Sequence, residues 1–158
     1  PFFARIASLP VAPAISVQLW LDRRVTDASD FRLVARTDVP VYQDQCDNAY
    51  PYAGGSRLSA TISPADAYLS WDDAALVELT VKALFAVLPK MQGVRVVKSV
   101  VLKHEKHLIR PLPGAMTARP PQATPVPNLF LAGDWTRQDY FGSQEGAVRS
   151  GRACAAQV

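Results

Sequence analysis

The segment from Pro111 to Pro127 contains six prolines in 17 residues, and it restricts the fold more than any other feature of the sequence. Each proline fixes φ and removes a backbone donor, so a stretch this rich in proline forms neither a regular helix nor a central strand. We interpret it as a stiff connector between two structural regions. The sequence therefore divides into residues 1–110, 111–127 and 128–158.

The first region contains several strand patterns. Residues 15–21 (ISVQLWL) alternate between two sets of side chains, which predicts a strand with one buried face. Residues 57–62 (RLSATI) alternate in the same way, and the valine-rich residues 94–102 predict a third strand, bulged at Lys98. Shorter elements are expected around these: strands at residues 31–35 and 40–45, and a turn at residues 47–57.

A long helix is predicted from Asp72 to Leu88. Ser70 is the expected N-cap, and the acidic side chains at the start suit the positive end of the helix dipole. Pro89 ends the helix, because its ring cannot continue the hydrogen-bond ladder. The first region is thus predicted to be of the α+β class, with a mixed sheet packed by this helix. The apolar stripe consists of Leu76, Leu79, Ala83, Leu84, Val87 and Leu88.

The residue pattern of the sequence changes after the connector. The short apolar run Asn128–Ala132 predicts a strand buried on both faces. Gly133 and Asp134 follow it, and Ser143 is placed to cap a final helix that runs to about Ala156. We expect the small side chains of that helix to face its sheet: Ala147, Gly151, Cys154 and Ala155.

This strand–loop–helix is the best candidate for a binding site. Asp134 would lie at the carboxyl end of a strand, where open α/β sheets bind ligands. The N-terminus of the following helix offers backbone N–H groups and a positive dipole end, and Gly142 and Gly146 let a ligand approach closely. These groups suit a ligand with hydroxyls and with carbonyl or phosphate oxygens. The alternative is a plain turn in which Asp134 has no ligand.

The same residues resemble a known family. Residues 128–136 (NLFLAGDWT) with residues 143–151 (SQEGAVRSG) are similar to the C-terminal flavin motif of the FAD-dependent amine oxidase and carotenoid desaturase superfamily. Arg119-Pro120, Thr124-Pro125 and residues 136–140 (TRQDY) resemble the plant and cyanobacterial-type phytoene and zeta-carotene desaturases. The resemblance implies that residues 1–110 are part of a substrate-binding domain. It also implies that residues 128–158 are the last strand and helix of a Rossmann-like FAD-binding domain.

The resemblance assigns the cofactor site to two short segments. It implies that the Asp134 carboxylate holds a ribityl hydroxyl of FAD, and that backbone groups at the start of the last helix face the flavin. For Glu145 the alternative is that its side chain braces neighbouring backbone. The implied cofactor-binding residues are Gly133, Asp134, Ser143, Gln144, Glu145, Gly146 and Ala147.

One departure from the family pattern concerns the rest of the cofactor. The family binds ADP with an N-terminal G-x-G-x-x-G turn, and this sequence has no such pattern. With a first residue other than Met, this predicts a C-terminal part of a longer enzyme, whose partner is the N-terminal FAD-binding half. FAD is expected in the full-length protein. The isolated chain is expected to lack it, to be inactive and to self-associate.

The activity implied by the resemblance is oxidation of a hydrophobic isoprenoid such as a carotene, by a desaturase or dehydrogenase. Monoamine-type oxidases carry an aromatic residue two positions before the Glu of their E-G-A motif, and Ser143 stands there in this sequence. This favours a desaturase over the alternatives, which are a flavin amine oxidase and a squalene-associated FAD enzyme. A non-catalytic binding module is the alternative from another functional class. We assign no catalytic residue.

Composition excludes several other functions. The formal net charge of +3 is too small to indicate nucleic-acid binding, and the two cysteines cannot form a disulfide scaffold. His104 and His107 are three residues apart and would face opposite sides of a strand, so we predict no metal site. The expected location is the cytoplasm, and a lipid-like substrate would allow peripheral membrane contact.

Overall fold

The computed structural model describes residues 2–27, 30, 32–46, 52–140 and 142–157, which form two compact units. One unit comprises residues 13–105, and the other comprises residues 1–12 with 106–158. The order of elements along the chain is α1 (Phe2–Ala7), β1 (Val11–Leu21), β2 (Arg32–Leu33), β3 (Val41–Asp44), β4 (Arg57–Ile62), α2 (Asp73–Val87), β5 (Val96–Ile109), α3 (Ala115–Ala118) and α4 (Gln144–Ala155).

The strands form a five-stranded antiparallel sheet in the order β2-β3-β4-β1-β5. Ile15 of β1 pairs with Ile62 of β4, and Trp20 pairs with Arg57. The α+β class is confirmed, but the predicted mixed sheet is wrong in its strand directions. Only residues 34–40 separate β2 from β3, and a parallel pair would need a crossover of a dozen or more residues.

The alternation in the sequence is confirmed as alternate burial. All four apolar residues Ile15, Val17, Leu19 and Leu21 are fully buried, whereas the residues between them are half-buried. In β4, Leu58, Ala60 and Ile62 are buried in the same way. These side chains form one core with Leu76 and Leu84 of α2, so the core of the unit of residues 13–105 lies between sheet and helix.

Helix α2 confirms the predicted helix with a different N-cap. Asp72 has extended backbone angles, and its Oδ1 accepts a hydrogen bond from the Ala75 N–H at 2.7 Å. Ser70 lies two residues too early to reach the first free donors, so the Ser70 prediction is wrong. Thr80 is buried on the packed face, where its hydroxyl donates to the Leu76 carbonyl at 2.8 Å.

Two strands are longer than predicted. Strand β1 begins at Val11 and includes Pro13, which precedes the first residue paired with β4. Proline has no backbone N–H to donate, but the Pro13 carbonyl still accepts a hydrogen bond from the Ala65 N–H at 3.0 Å. Strand β5 runs to Ile109, past the predicted end at Leu102. The short strands β2 and β3 confirm the predictions for residues 31–35 and 40–45, while Phe31 and residues 47–51 lie outside the described residues.

The proline-rich segment contains more structure than the stiff connector that the sequence predicts. It contains α3, and Arg119, Pro120 and Gln122 are buried. The predicted strand at residues 128–132 is wrong. Phe130 forms a single isolated bridge with Ala123, and Leu129 is 42% exposed. A strand that is buried on both faces lies inside a sheet and needs a hydrogen-bonded strand along each of its two edges. Among the described residues, Phe130 forms only this one bridge.

No helix among the described residues is both long and apolar enough to cross a membrane. Within the same residues, no three His, Cys, Asp or Glu side chains are grouped so that they could hold a metal ion. His104 and His107 are exposed on β5.

Candidate functional site

Helix α4 begins where the sequence predicts. The Ser143 Oγ accepts a hydrogen bond from the Gly146 N–H at 3.0 Å, and the Ala147 N–H donates to the Ser143 carbonyl at 3.0 Å. The N–H groups of Gln144 and Glu145 are therefore left without an acceptor inside the helix. Both residues are exposed, so these two donors lie at the positive end of the helix dipole and can bind a ligand.

The packed face of α4 differs from the prediction. Gly146 and Ser150 are its buried residues, while Ala147 and Ala155 are exposed and Gly151 and Cys154 are half-buried. The predicted small-residue face is therefore wrong. The reason is that Ser150 forms hydrogen bonds, which a count of small side chains does not reveal.

Gly133 is held at both of its polar groups. Its N–H donates to the Ser150 Oγ at 3.0 Å, and its carbonyl accepts from the Thr136 N–H at 3.1 Å and from the Thr136 hydroxyl at 2.9 Å. Its φ is +146°, a conformation that favours glycine. A β-carbon at this position would also lie 2.3 Å from Trp135 Nε1. The turn after residue 132 therefore requires glycine.

The buried hydroxyls of Thr136 and Ser150 lie 2.6 Å apart and share a hydrogen bond in which either oxygen can donate. Thr136 Oγ1 also accepts from the Gln122 amide at 3.1 Å, and that amide reaches the Arg137 carbonyl at 2.9 Å. This network ties the turn at Gly133 to α4.

The Asp134 carboxylate borders the start of α4. A β-carbon at Gly142 would lie 3.2 Å from Asp134 Oδ2 and 3.1 Å from Leu108 Cδ2, so a larger residue there would displace these two side chains by a few tenths of an ångström. Asp134 is half-buried, and no other described residue donates a hydrogen bond to its carboxylate. The structure thus brings an acceptor next to Gly142, the residue that precedes the N-cap of α4.

The backbone of Asp134 is held by Arg119, which is 1% exposed. Its Nη2 donates to the Asp134 carbonyl and its Nη1 donates to the Tyr140 carbonyl at 2.6 Å. Burial lowers the pKa of the Arg119 guanidinium from its usual value, and the Asp134 carboxylate opposes that shift. Because an arginine side chain is not deprotonated in proteins, Arg119 remains a cation.

Glu145 is directed to the surface of α4. Its Oε1 accepts from Arg149 Nε at 2.6 Å, one helical turn away, and this hydrogen bond raises the pKa of Arg149. The Arg149 guanidinium also lies over the Tyr140 ring, 4.4 Å from its centre. The Glu145 side chain therefore pairs with the Arg149 side chain of its own helix, whereas the alternative given by the sequence was a contact with neighbouring backbone.

Four buried polar residues of this site were missed from the sequence. Arg119, Thr136 and Ser150 stand out only as members of family motifs, and nothing marks Gln122. Each has an ordinary residue type at an ordinary position. Hydrogen-bonded burial is a property of the fold, and only the three-dimensional contacts reveal it.

The family of this chain follows from a match over its whole length. Residues 1–158 match the model of the family described as "Flavin containing amine oxidoreductase". The chain belongs to this family. The predicted superfamily is thereby confirmed, and the motif at residues 128–151 lies inside the matched region.

Curated relatives in the flavin-containing amine oxidoreductase family include carotene desaturases. The chain is 31% identical to 15-cis-phytoene desaturase of Solanum lycopersicum over 166 residues, which cover 100% of this chain and 28% of that protein. It is 34% identical to zeta-carotene desaturase of Solanum lycopersicum over 176 residues, which cover 99% of this chain and 30% of that protein. The chain thus spans less than a third of the length of these relatives.

Several solved structures share the fold of this chain. An oxidoreductase from Methanosarcina mazei superposes with a TM-score of 0.63 at 15% identity, over 98% of this chain and 36% of that one. Reduced UDP-galactopyranose mutase superposes with a TM-score of 0.64 at 12% identity, over 91% of this chain and 32% of that one. At these identities the likeness concerns the fold alone.

Proposed function

We propose that this chain is the C-terminal part of an FAD-dependent desaturase or dehydrogenase that acts on a hydrophobic isoprenoid such as a carotene. The observation that carries the proposal is the Asp134 carboxylate, which accepts no hydrogen bond from a described residue and borders the start of α4. Family membership and the names of the relatives support the same reading.

The groups at this edge fit the flavin end of FAD. A carboxylate without a protein donor suits a ribityl hydroxyl, and the N–H groups of Gln144 and Glu145 suit a flavin carbonyl oxygen. The N-terminus of α4 favours negative charge on a reduced flavin. The chemistry that FAD supplies when bound is the acceptance of a hydride from the substrate. The chain contributes binding and orientation, through Gly133, Asp134 and Ser143 to Ala147.

Replacing Asp134 with alanine in the full-length protein is expected to weaken flavin binding by about ten- to a hundredfold. A hydrogen bond to a charged group contributes about 1.5–3 kcal/mol, and the hydroxyl would lose its acceptor. Flavin fluorescence during titration of the apoprotein measures the affinity. Asp139→Ala is the matched control, because Asp139 is an exposed carboxylate of the same loop. Equal affinity of the two variants would contradict the assignment of Asp134.

A desaturase is preferred over an amine oxidase because of Ser143. Its side chain caps α4 at the position where an amine oxidase of the monoamine type carries an aromatic residue. The full-length protein should therefore convert phytoene or zeta-carotene when it is produced in cells that accumulate them. Chromatography of the pigments detects the products. Turnover of amines alone would refute the desaturase proposal, and turnover of squalene derivatives alone would favour the squalene-associated alternative.

The isolated chain is expected to be colourless and to elute as dimers or larger species. The diphosphate and adenosine of FAD need a G-x-G-x-x-G unit that this sequence does not contain, and much of the free energy of binding is lost with those contacts. Exposed apolar side chains near the site, Val126, Leu129 and Val148, favour self-association. A yellow, monomeric preparation with stoichiometric FAD would support a complete flavin domain instead.

The remaining expectations stay predictions. They are the N-terminal half as partner, a cytoplasmic location and peripheral membrane contact. The names of the relatives place those proteins in chloroplasts or chromoplasts. Fractionation of cells that produce the full-length protein would locate it.

A further inference from the structure

Arg119 is an unusual residue to find inside a fold. It is 1% exposed, and arginine is rarely buried unless its charge is compensated. The local fold places it there, because it is the C-cap of α3 and is followed by two prolines, which fix the backbone on leaving the helix. The guanidinium therefore enters the interior from a stiff segment.

Two hydrogen bonds of this guanidinium go to one loop, and Nη1 also reaches Met116 Sδ of α3 at 3.4 Å. Nη2 donates to the Asp134 carbonyl, and Nη1 donates to the Tyr140 carbonyl at 2.6 Å. These two carbonyls are at opposite ends of residues 134–140, so a single planar group joins both ends of the loop. Lysine cannot replace this geometry, because an ammonium is a point charge on a flexible stem, whereas guanidinium donors have a fixed fork.

The free-energy cost of burying the Arg119 guanidinium indicates that its role is to fix the position of the loop. No acceptor among the described residues lies within hydrogen-bond distance of its Nε, and a buried donor without a partner is unfavourable. An apolar side chain would fill the same space without that penalty. The benefit of the guanidinium is thus the fixed position of the loop, including the residue that carries the candidate ligand group.

We propose that Arg119 is the positioning residue of the flavin site: by holding the two ends of residues 134–140, it fixes the direction of the Asp134 carboxylate beside Gly142. The part that concerns flavin rests on the proposed function. The part that concerns the loop does not, since it follows from contacts within this chain.

The loop is tested first by hydrogen exchange of the 158-residue chain, followed by mass spectrometry. In Arg119→Lys, the amides of Thr136 and Arg137, which donate to Gly133 and Pro120, should exchange about tenfold faster or more. Arg137→Lys is the matched control, because Arg137 is an exposed arginine in the same loop, and it should leave exchange unchanged. Equal exchange in wild type and Arg119→Lys would overturn the proposal.

A second variant covers the case in which Arg119→Lys unfolds the whole unit. Gln138→Met removes the other side-chain hydrogen bond to the Asp134 carbonyl, at 3.3 Å, and leaves Arg119 in place. Retained protection of Thr136 and Arg137 in that variant would support the guanidinium as the main restraint. Loss of protection as large as in Arg119→Lys would overturn it.

Flavin affinity of the full-length protein separates the two proposals. If wild type binds FAD, the affinity of Arg119→Lys for FAD should be lower by about tenfold or more. The affinity of Arg137→Lys should equal that of wild type. Unchanged affinity in Arg119→Lys would refute the positioning role while leaving the proposed function intact. If wild type itself binds no FAD, the proposed function fails, and the exchange result alone decides whether Arg119 fixes the loop.

Discussion

Replacing Leu19 with alanine is expected to lower the free energy of unfolding of the unit of residues 13–105 by about 2–5 kcal/mol. Leu19 is fully buried in the C-terminal half of β1, where it pairs with Leu58 of β4. Its removal leaves a cavity under a strand that has neighbours on both sides, so the surrounding backbone can relax only in part. Urea titration followed by circular dichroism measures the loss.

The matched control is Leu33→Ala. Leu33 is also a strand leucine, in β2, but it is 83% exposed. The same chemical change should alter the free energy of unfolding there by less than about 0.5 kcal/mol. Similar losses in the two variants would mean that the sheet does not bury β1 as described.

Replacing Gly133 with alanine is expected to destabilise the turn before α4 by about 3 kcal/mol. Two effects add: the φ of +146° is unfavourable for a residue with a β-carbon, and that carbon would lie 2.3 Å from Trp135 Nε1. Hydrogen exchange at the Thr136 amide should accelerate roughly a hundredfold, because this amide donates to the Gly133 carbonyl. The full-length protein should lose flavin affinity as well.

Two other glycines separate these effects. Gly93 has a φ of +70° with no atom near a β-carbon, so Gly93→Ala reports the backbone cost alone, about 1–2 kcal/mol. Gly151 lies within α4 with open space around it, and Gly151→Ala should stabilise the helix by up to about 1 kcal/mol. If Gly133→Ala behaved like Gly151→Ala, the turn would differ from the one described.

The elements predicted best from the sequence are those whose burial repeats regularly. Strands β1 and β4 alternate with period two, and α2 has an apolar stripe followed by Pro89, so each pattern has one physical interpretation. The N-terminus of α4 was equally clear, because Ser143 reaches the Gly146 N–H only from the N-cap position. The predicted position of Asp134 at the carboxyl end of a strand is not observed, because residues 128–132 form no strand.

The elements predicted poorly depend on partners distant in the sequence. The apolar run at residues 128–132 has the composition of a buried strand, but a strand forms only where other strands offer hydrogen bonds. The proline-rich segment shows the converse, since its only regular element is the four-residue helix α3 and yet it buries Arg119 and Gln122. No local pattern indicates that an arginine will reach the carbonyl of a residue 15 positions later.

The outermost strand β5 has a consequence for how copies of this chain meet. In the described sheet it has β1 on one side only, so 14 residues of backbone form an open edge to which another strand could add. Lys98, Lys103 and Lys106 are spread along this edge, and a second copy aligned on it would bring like charges together and remove their solvation. Association of the isolated chain should therefore weaken when the apolar side chains around Leu129 are made polar. Self-association of the isolated chain should not produce the ordered, fibril-like stacking of strands that a long uncharged edge would permit.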